Sequence, residues 1–319
     1  MWKRSVIVSF ILLTLSVATV FLLSYVTIRR LTFVGDSVIY GKKLSDFTRD
    51  LGKELARRAD ITPITIKSSD NITLRAFLIK KANPRANVLL CHGYRSCKEF
   101  MYGFFDIFPD CNLLAFDFRA HGESSGSYIS IGYHEHKDVL AAAAYLKQVD
   151  PSLPFIILGL SMGGAATLRA TSVQKNLADV YIIDSTFSDL KTMMLQSYSL
   201  KVGLPYYPFF PVIKWMFDFF ADCDADSINS VECVKAITQP IFFVHSCNDS
   251  FIRPDHSLRL YSHAINPLSR LWIAPRCRHG WLNTYHNETY RKKVNRFLIQ
   301  TLDLHLNYEE SSSAESIVN

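Results

Sequence analysis

Several common signatures are missing from these 319 residues. No basic run resembles a nucleic-acid-binding stripe. The 35 Lys and Arg exceed the 29 Asp and Glu only modestly and are dispersed. That pattern suits a mildly basic surface near anionic lipid and gives no reason to expect a nucleic-acid partner. No CxxC pair is present, and the seven cysteines are odd in number, which argues against a disulfide scaffold. Several of them sit in apolar runs, where cysteine behaves as a small buried hydrophobe, so the chain leans toward a reducing compartment. No Gly-Lys-Ser or Gly-Lys-Thr follows the glycine-rich turn near residue 160, which argues against a phosphate loop. Internal repeats are absent. Charged residues are only 20% against 49% hydrophobic, which excludes a disordered chain.

Charge is also missing from one long stretch. The 24 residues from Ser5 to Ile28 carry none. At about 1.5 Å per residue they can cross a hydrocarbon core of roughly 30 Å. The run ends in Tyr25, Val26, Thr27 and Ile28 before Arg29 and Arg30, without the shorter apolar core and small-x-small site of a cleaved signal peptide. The expectation is an uncleaved, single-pass membrane anchor over residues 1–30. Lys3 and Arg4 precede the run, whereas Arg29, Arg30, Lys42 and Lys43 follow it. Loop charge therefore assigns no side of the membrane to the rest of the chain.

Residues 31–60 read as a stalk, and 61–79 as a β-hairpin turning at Ser68-Ser69-Asp70-Asn71. From residue 87 short apolar runs alternate with longer helical segments. The strand candidates are 87–92, 112–117, 155–160, 180–184, 241–245 and 270–274. Their continuous apolar character suits strands buried on both faces of a parallel sheet. Helices are expected over about 133–149, 162–175, 254–265 and 284–302. This alternation predicts an α/β domain over 61–305, with a mostly parallel, doubly wound sheet. Residues 185–238 interrupt it with an aromatic-rich insert, where Pro205, Pro208, Pro211, Lys214 and Asp218 argue against a second span. The tail, 306–319, is polar and low in complexity and is expected to be disordered.

The stretch Gly159-Leu160-Ser161-Met162-Gly163 ends one predicted strand and opens a helix. A nucleophile elbow needs such a strand-to-helix turn, with small residues two before and two after the serine. A serine nucleophile needs a base, expected on a loop after the last strand, and an acid between them in the chain. His279 follows the strand at 270–274, and Asp249 follows the strand at 241–245. His286 and His245 compete as bases, and Asp184 competes as the acid. In these roles His279 takes the Ser161 proton, and Asp249 fixes the imidazole tautomer. An oxyanion hole needs two backbone N–H groups, for which Met162 and Tyr94, just after Gly93, are the candidates.

These residues resemble the α/β-hydrolase superfamily over about residues 62–303. Within it the chain is most similar to single-pass membrane hydrolases of the serine aminopeptidase-like and prolyl-oligopeptidase-like groups. The matching motifs are His92-Gly93, DFRAHGESSG (117–126), GLSMGG (159–164), HSCNDSFIRP (245–254) and RHG (278–280). Ala120 and Ser246 stand where such proteins commonly carry glycine. The resemblance implies a serine hydrolase acting on an ester, thioester or amide through an acyl-enzyme, with no cofactor. It also implies that the insert at 185–238 caps the serine. An aromatic cap near a membrane suits a small-molecule or lipid-like acyl substrate. Acyl transfer and a catalytically silent binding role stay open at this level. His134-Glu135-His136 lacks a third ligand and is not read as a metal site. The sequons at Asn71, Asn248 and Asn287 matter only in a eukaryotic secretory setting.

Overall fold

A computed structural model describes residues 2–32, 38–39, 42–43, 51, 55, 58–201 and 203–308. Most of the expected stalk, and the tail beyond residue 308, lie outside these described residues.

The first element is a 31-residue helix, α1 (Trp2–Thr32), and its stretch Ser5–Thr32 is long and apolar enough to cross a membrane. Thr14, Ser16, Thr19, Thr27 and Thr32 each donate a hydroxyl hydrogen bond to the carbonyl four residues back. Their polarity is thus satisfied within the helix. One stripe is covered: Ser24, Ile28 and Thr32, one helical turn apart, are buried, while Phe10, Leu12, Leu15 and Leu22 are exposed.

Eight strands form the main sheet: β1 (Ile61–Lys67), β2 (Thr73–Ile79), β3 (Ala86–Cys91), β4 (Cys111–Phe116), β5 (Phe155–Leu160), β6 (Val180–Asp184), β7 (Ile241–Ser246) and β8 (Arg270–Ala274). Their order is β8-β7-β6-β5-β3-β4-β2-β1. The β1–β2 hairpin is antiparallel and joins β4 antiparallel, and every other pairing is parallel. Strand side chains alternate between two cores. Leu89, Leu114, Ile157 and Phe243 belong to one, and Val88, Leu113, Ile156 and Phe242 to the other. Helices α2 (Glu135–Val149) and α3 (Met162–Val173) supply the first core. The Lys98–Ile107 segment and the C-terminal helix supply the second.

Between β6 and β7 lie α4 (Leu190–Lys201), α5 (Tyr206–Phe220) and the short α6 (Ser230–Val234). A non-helical Tyr207 precedes Pro208, so the carbonyl that would pair with residue 211 lies outside the regular helix. Pro211 therefore costs α5 no internal hydrogen bond. The aromatic insert divides by face. Phe210 and Phe217 are buried, whereas Tyr207, Trp215 and Phe219 are 73%, 56% and 68% exposed. This helix lies against α1, with Phe21 edge-on to Trp215 at 6.4 Å and Tyr25 against Phe220 at 5.7 Å.

Several boundaries differ from expectation. β3 and β4 end one residue early, because His92 and Asp117 already belong to the turns they brace. The helix expected over 254–265 closes as α7 (Asp255–Tyr261). The helix expected over 284–302 is two, α8 (Leu282–Tyr285) and α9 (Asn287–Leu302), broken at His286. The helical turns of Lys98–Ile107 lie outside the expected elements.

Candidate active site

The turn from β5 into α3 holds Ser161 at φ 55°, ψ −117°, a backbone conformation that residues with a side chain rarely adopt. The neighbouring glycines make it possible. A Cβ on Gly163 would lie 2.3 Å from the Cys91 carbonyl oxygen, and one on Gly159 would lie 2.6 Å from Gly164 Cα. The turn is pinned by the Ser161 N–H, which donates to the Asp184 carbonyl at 2.8 Å, and by the Thr186 hydroxyl, which donates to the Ser161 carbonyl at 2.9 Å. Met162 opens α3, so its N–H lies among those without an intrahelical acceptor.

Two further loops meet the serine. His279 Nε2 is 2.9 Å from Ser161 Oγ, and His279 Nδ1 is 2.6 Å from Asp249 Oδ2. An ionised carboxylate only accepts, so Nδ1–H donates to Asp249, and Nε2 is left to accept from the serine hydroxyl. Asp249 Oδ1 accepts the N–H groups of Phe251 and Ile252 at 2.8 and 3.0 Å. Burial alone would raise the Asp249 pKa. Interactions with His245 and His279 outweigh it and hold the carboxyl well below the usual range.

The competing candidates are engaged elsewhere. Asp184 accepts from the Ser185 hydroxyl at 2.8 Å and the Tyr290 hydroxyl at 3.1 Å, and burial raises its pKa. His286 sits in the α8–α9 break, with Nε2 3.5 Å from the Arg276 carbonyl. His245 is fully buried: Nδ1 is 2.7 Å from Ser257 Oγ and Nε2 is 2.8 Å from the Ile252 carbonyl. It braces the loop that carries Asp249 and has no contact with the serine. That supporting role is not visible in the sequence.

Ser246, standing where glycine was expected, contributes a second brace. Its hydroxyl donates to the Cys277 carbonyl and accepts the Cys277 N–H, both at 2.9 Å. The acid loop and the histidine loop are thereby joined. A polar residue at the end of an apolar strand is the sequence signal that could have pointed to it.

The loop after β3 comes from the opposite side. A Cβ on Gly93 would stand 3.3 Å from Ser161 Cβ, so glycine allows this close approach. Two buried histidines orient the loop. His92 accepts the Phe118 N–H at 3.0 Å through Nε2, and its Nδ1 lies 2.7 Å from the Gly93 carbonyl. His121 accepts the Arg95 N–H at 3.1 Å. Burial lowers both histidine pKa values, which keeps them neutral. The DFRAHGESSG motif is therefore a brace for this loop. Asp117 in the same motif accepts the Lys98 N–H at 2.7 Å and its ammonium at 2.9 Å. Arg119 bridges Asp70 and Asp138. Ala120, standing where glycine is common, sits at φ 56°, where glycine fits at less cost.

Two cavities meet at Ser161. The larger, about 800 Å³, is open and lies among the Phe100, Arg276, His279, Trp281 and Tyr285 side chains. The smaller, about 300 Å³, is apolar and less open, and the cap, Tyr94, Met162 and α1 line it. Burial pushes the Tyr94 phenol up to about 12, so it remains a donor.

Other sequence features resolve structurally. Glu135 accepts from the Ser130 N–H and hydroxyl and from the Gly132 N–H, at 2.7–2.8 Å. His134 Nε2 lies 2.8 Å from the Asp222 carbonyl. All seven cysteines are free, and Cys91, Cys97 and Cys111 are buried.

Comparison with known proteins supports this architecture. Residues 82–222 match the family described as serine aminopeptidase, S33. The chain is 27% identical over 243 residues to the uncharacterized protein YqkD of Bacillus subtilis, covering 74% of this chain and 79% of that one. It is 24% identical over 241 residues to the uncharacterized membrane protein YNL320W of Saccharomyces cerevisiae, with the same coverage. Among solved structures, an esterase of Pyrococcus furiosus, Pf2001, superposes with a TM-score of 0.66 at 22% identity, covering 85% of this chain and 98% of that one. By its sheet order, its strand-to-helix serine turn and these similarities, the chain has the α/β-hydrolase fold.

Proposed function

We propose that the protein is a membrane-anchored serine hydrolase that cleaves an acyl ester, thioester or amide through an acyl-enzyme. One observation carries this reading: the hydrogen-bonded line Asp249–His279–Ser161 at the carboxyl edge of the sheet, with a helix N-terminus directly behind the serine. Ser161 Oγ attacks the substrate carbonyl carbon, and its proton passes to His279 Nε2. The Met162 and Tyr94 N–H groups receive the oxyanion. As the tetrahedral centre collapses, the bond to the leaving group breaks and His279 returns the proton to that group. Water, deprotonated by His279, then attacks the acyl-serine and releases the acid. Asp249 stays ionised throughout and stabilises the imidazolium. α1 is the single membrane anchor in this reading, and the apolar cavity takes the acyl group.

The test is covalent labelling with an alkyl fluorophosphonate. Wild-type protein should be labelled at Ser161, and Ser161→Ala should not be. A folded wild-type protein that resists the probe, or a Ser161→Ala variant labelled equally well, would overturn the assignment.

A further inference from the structure

The smaller cavity has an unexpected wall. Thr27 and Leu31 of α1 line it beside Met193, Tyr198, Ile213 and Phe217 of the cap. A helix whose task ended at holding the domain on a membrane would have no reason to reach the nucleophile's own cavity.

The end of α1 is also fastened to the oxyanion loop. The last carbonyls of a helix lack intrahelical donors. Here the Tyr94 hydroxyl donates to the Leu31 carbonyl at 2.5 Å, the Arg95 guanidinium donates to the Arg30 carbonyl, and the Ile129 N–H donates to the Thr32 carbonyl at 3.1 Å. Tyr94 therefore links the two: it lines both cavities at Ser161, and its side chain caps the helix. Further back along α1, against Phe21, the cap turns Trp215 and Phe219 outward, stacked at 5.9 Å, next to exposed apolar side chains of the helix. Exposed aromatics continuous with a membrane-length helix suit burial in the acyl region of a bilayer.

We propose that α1 forms part of the substrate site, and that the substrate is an acyl ester dissolved in the membrane whose chain enters the smaller cavity between α1 and the cap. This rests on the hydrolase reading. The carbonyl carbon then stops at Ser161, the acyl chain lies against Thr27 and Leu31, and the leaving group occupies the open cavity. A cavity of about 300 Å³, at the small end of ligand sites, accommodates one acyl chain and excludes a second.

The experiment uses the full chain in phospholipid vesicles and an alkyl fluorophosphonate with a diazirine at the chain end. The probe should attach to Ser161 and, on irradiation, crosslink to residues 27–31 or to the cap helices. Crosslinks confined to Phe100, Trp281 or Tyr285 would place the chain in the open cavity and overturn the proposal. Absence of any label at Ser161 overturns the hydrolase reading itself, so the two failures are distinguishable. A second measurement compares hydrolysis of p-nitrophenyl octanoate with that of the acetate. Leu31→Trp should lower the octanoate-to-acetate ratio of kcat/KM about tenfold or more. Leu22→Trp, at an exposed position of α1, should leave the ratio unchanged. An unaltered ratio in Leu31→Trp, with Ser161 labelling retained, overturns the proposal. Presenting octanoyl esters in vesicles and as a water-soluble thioester separates a membrane source from a soluble one. Preference for the soluble form overturns membrane entry.

Discussion

The two sides of Ser161 are built differently. On one side the carboxyl-edge loops are fixed by polar contacts: Asp249 with two backbone N–H groups, Ser246 clamped to Cys277, and His92 and His121 bracing the turn after β3. On the other side the cap and α1 line an apolar space, with Met193, Ile213 and Phe217 in its wall. Hydrogen bonds are directional and set atoms within tenths of an ångström, as proton transfer requires. Apolar packing sets volume and excludes water, as discrimination between chain lengths requires. In the proposed reading, reaction and selectivity fall on separate surfaces of one site.

Variants on the polar side should lower turnover equally for short and long acyl chains, in contrast to Leu31→Trp. Asp249→Asn gives the largest effect, about 10³–10⁴-fold in kcat, because Nδ1 loses its fixed proton acceptor. A loss confined to long chains would break the distinction between the two sides. The same variant has a stability signature. The native Asp249 pKa is depressed, so its ionisation stabilises the fold above the unfolded value of about 3.9 and is lost as pH falls through the lower native value. Asp249→Asn should therefore flatten the acid limb of a melting-temperature profile below about pH 5. Ser246→Gly should come next, lowering kcat about tenfold with KM nearly unchanged, since it loosens two loops without touching substrate. Steady-state kinetics on two ester lengths checks both variants. Ala120→Gly gives the smallest effect: it relieves the left-handed backbone and should add about 0.5–1 kcal/mol of stability. Thermal denaturation measures that gain, and a lower melting temperature would refute the strain argument.

Much of the polar side was legible in the chain. The continuous apolar runs predicted the parallel strands, and in this fold reactive residues collect just beyond strand carboxyl ends. That is why Ser161, Asp249 and His279 could be named before their separations of 2.9 and 2.6 Å were known. The supporting groups were less visible. His245 looks like one more residue of an apolar strand, and Ser246 like a departure from a motif. Their contacts reach Ser257 and Cys277, so neither purpose is local. The left-handed backbone at Ala120 was not legible, because residue type does not reveal the sign of φ.

By itself the sequence determined the elements and their chemistry: the membrane-length α1, the strand-helix alternation, the strained serine turn, and an acid and a base at later strand ends. Each depends on residues near in the chain, through hydrophobic period, steric freedom or side-chain type. Only the tertiary structure decided how closely His279 approaches Ser161 and Asp249, which groups brace their loops, and that the end of α1 lines the cavity beside them. Those outcomes depend on packing between segments distant in the chain, 118 residues apart for His279 and Ser161 and 30 for His279 and Asp249, and no local pattern encodes them.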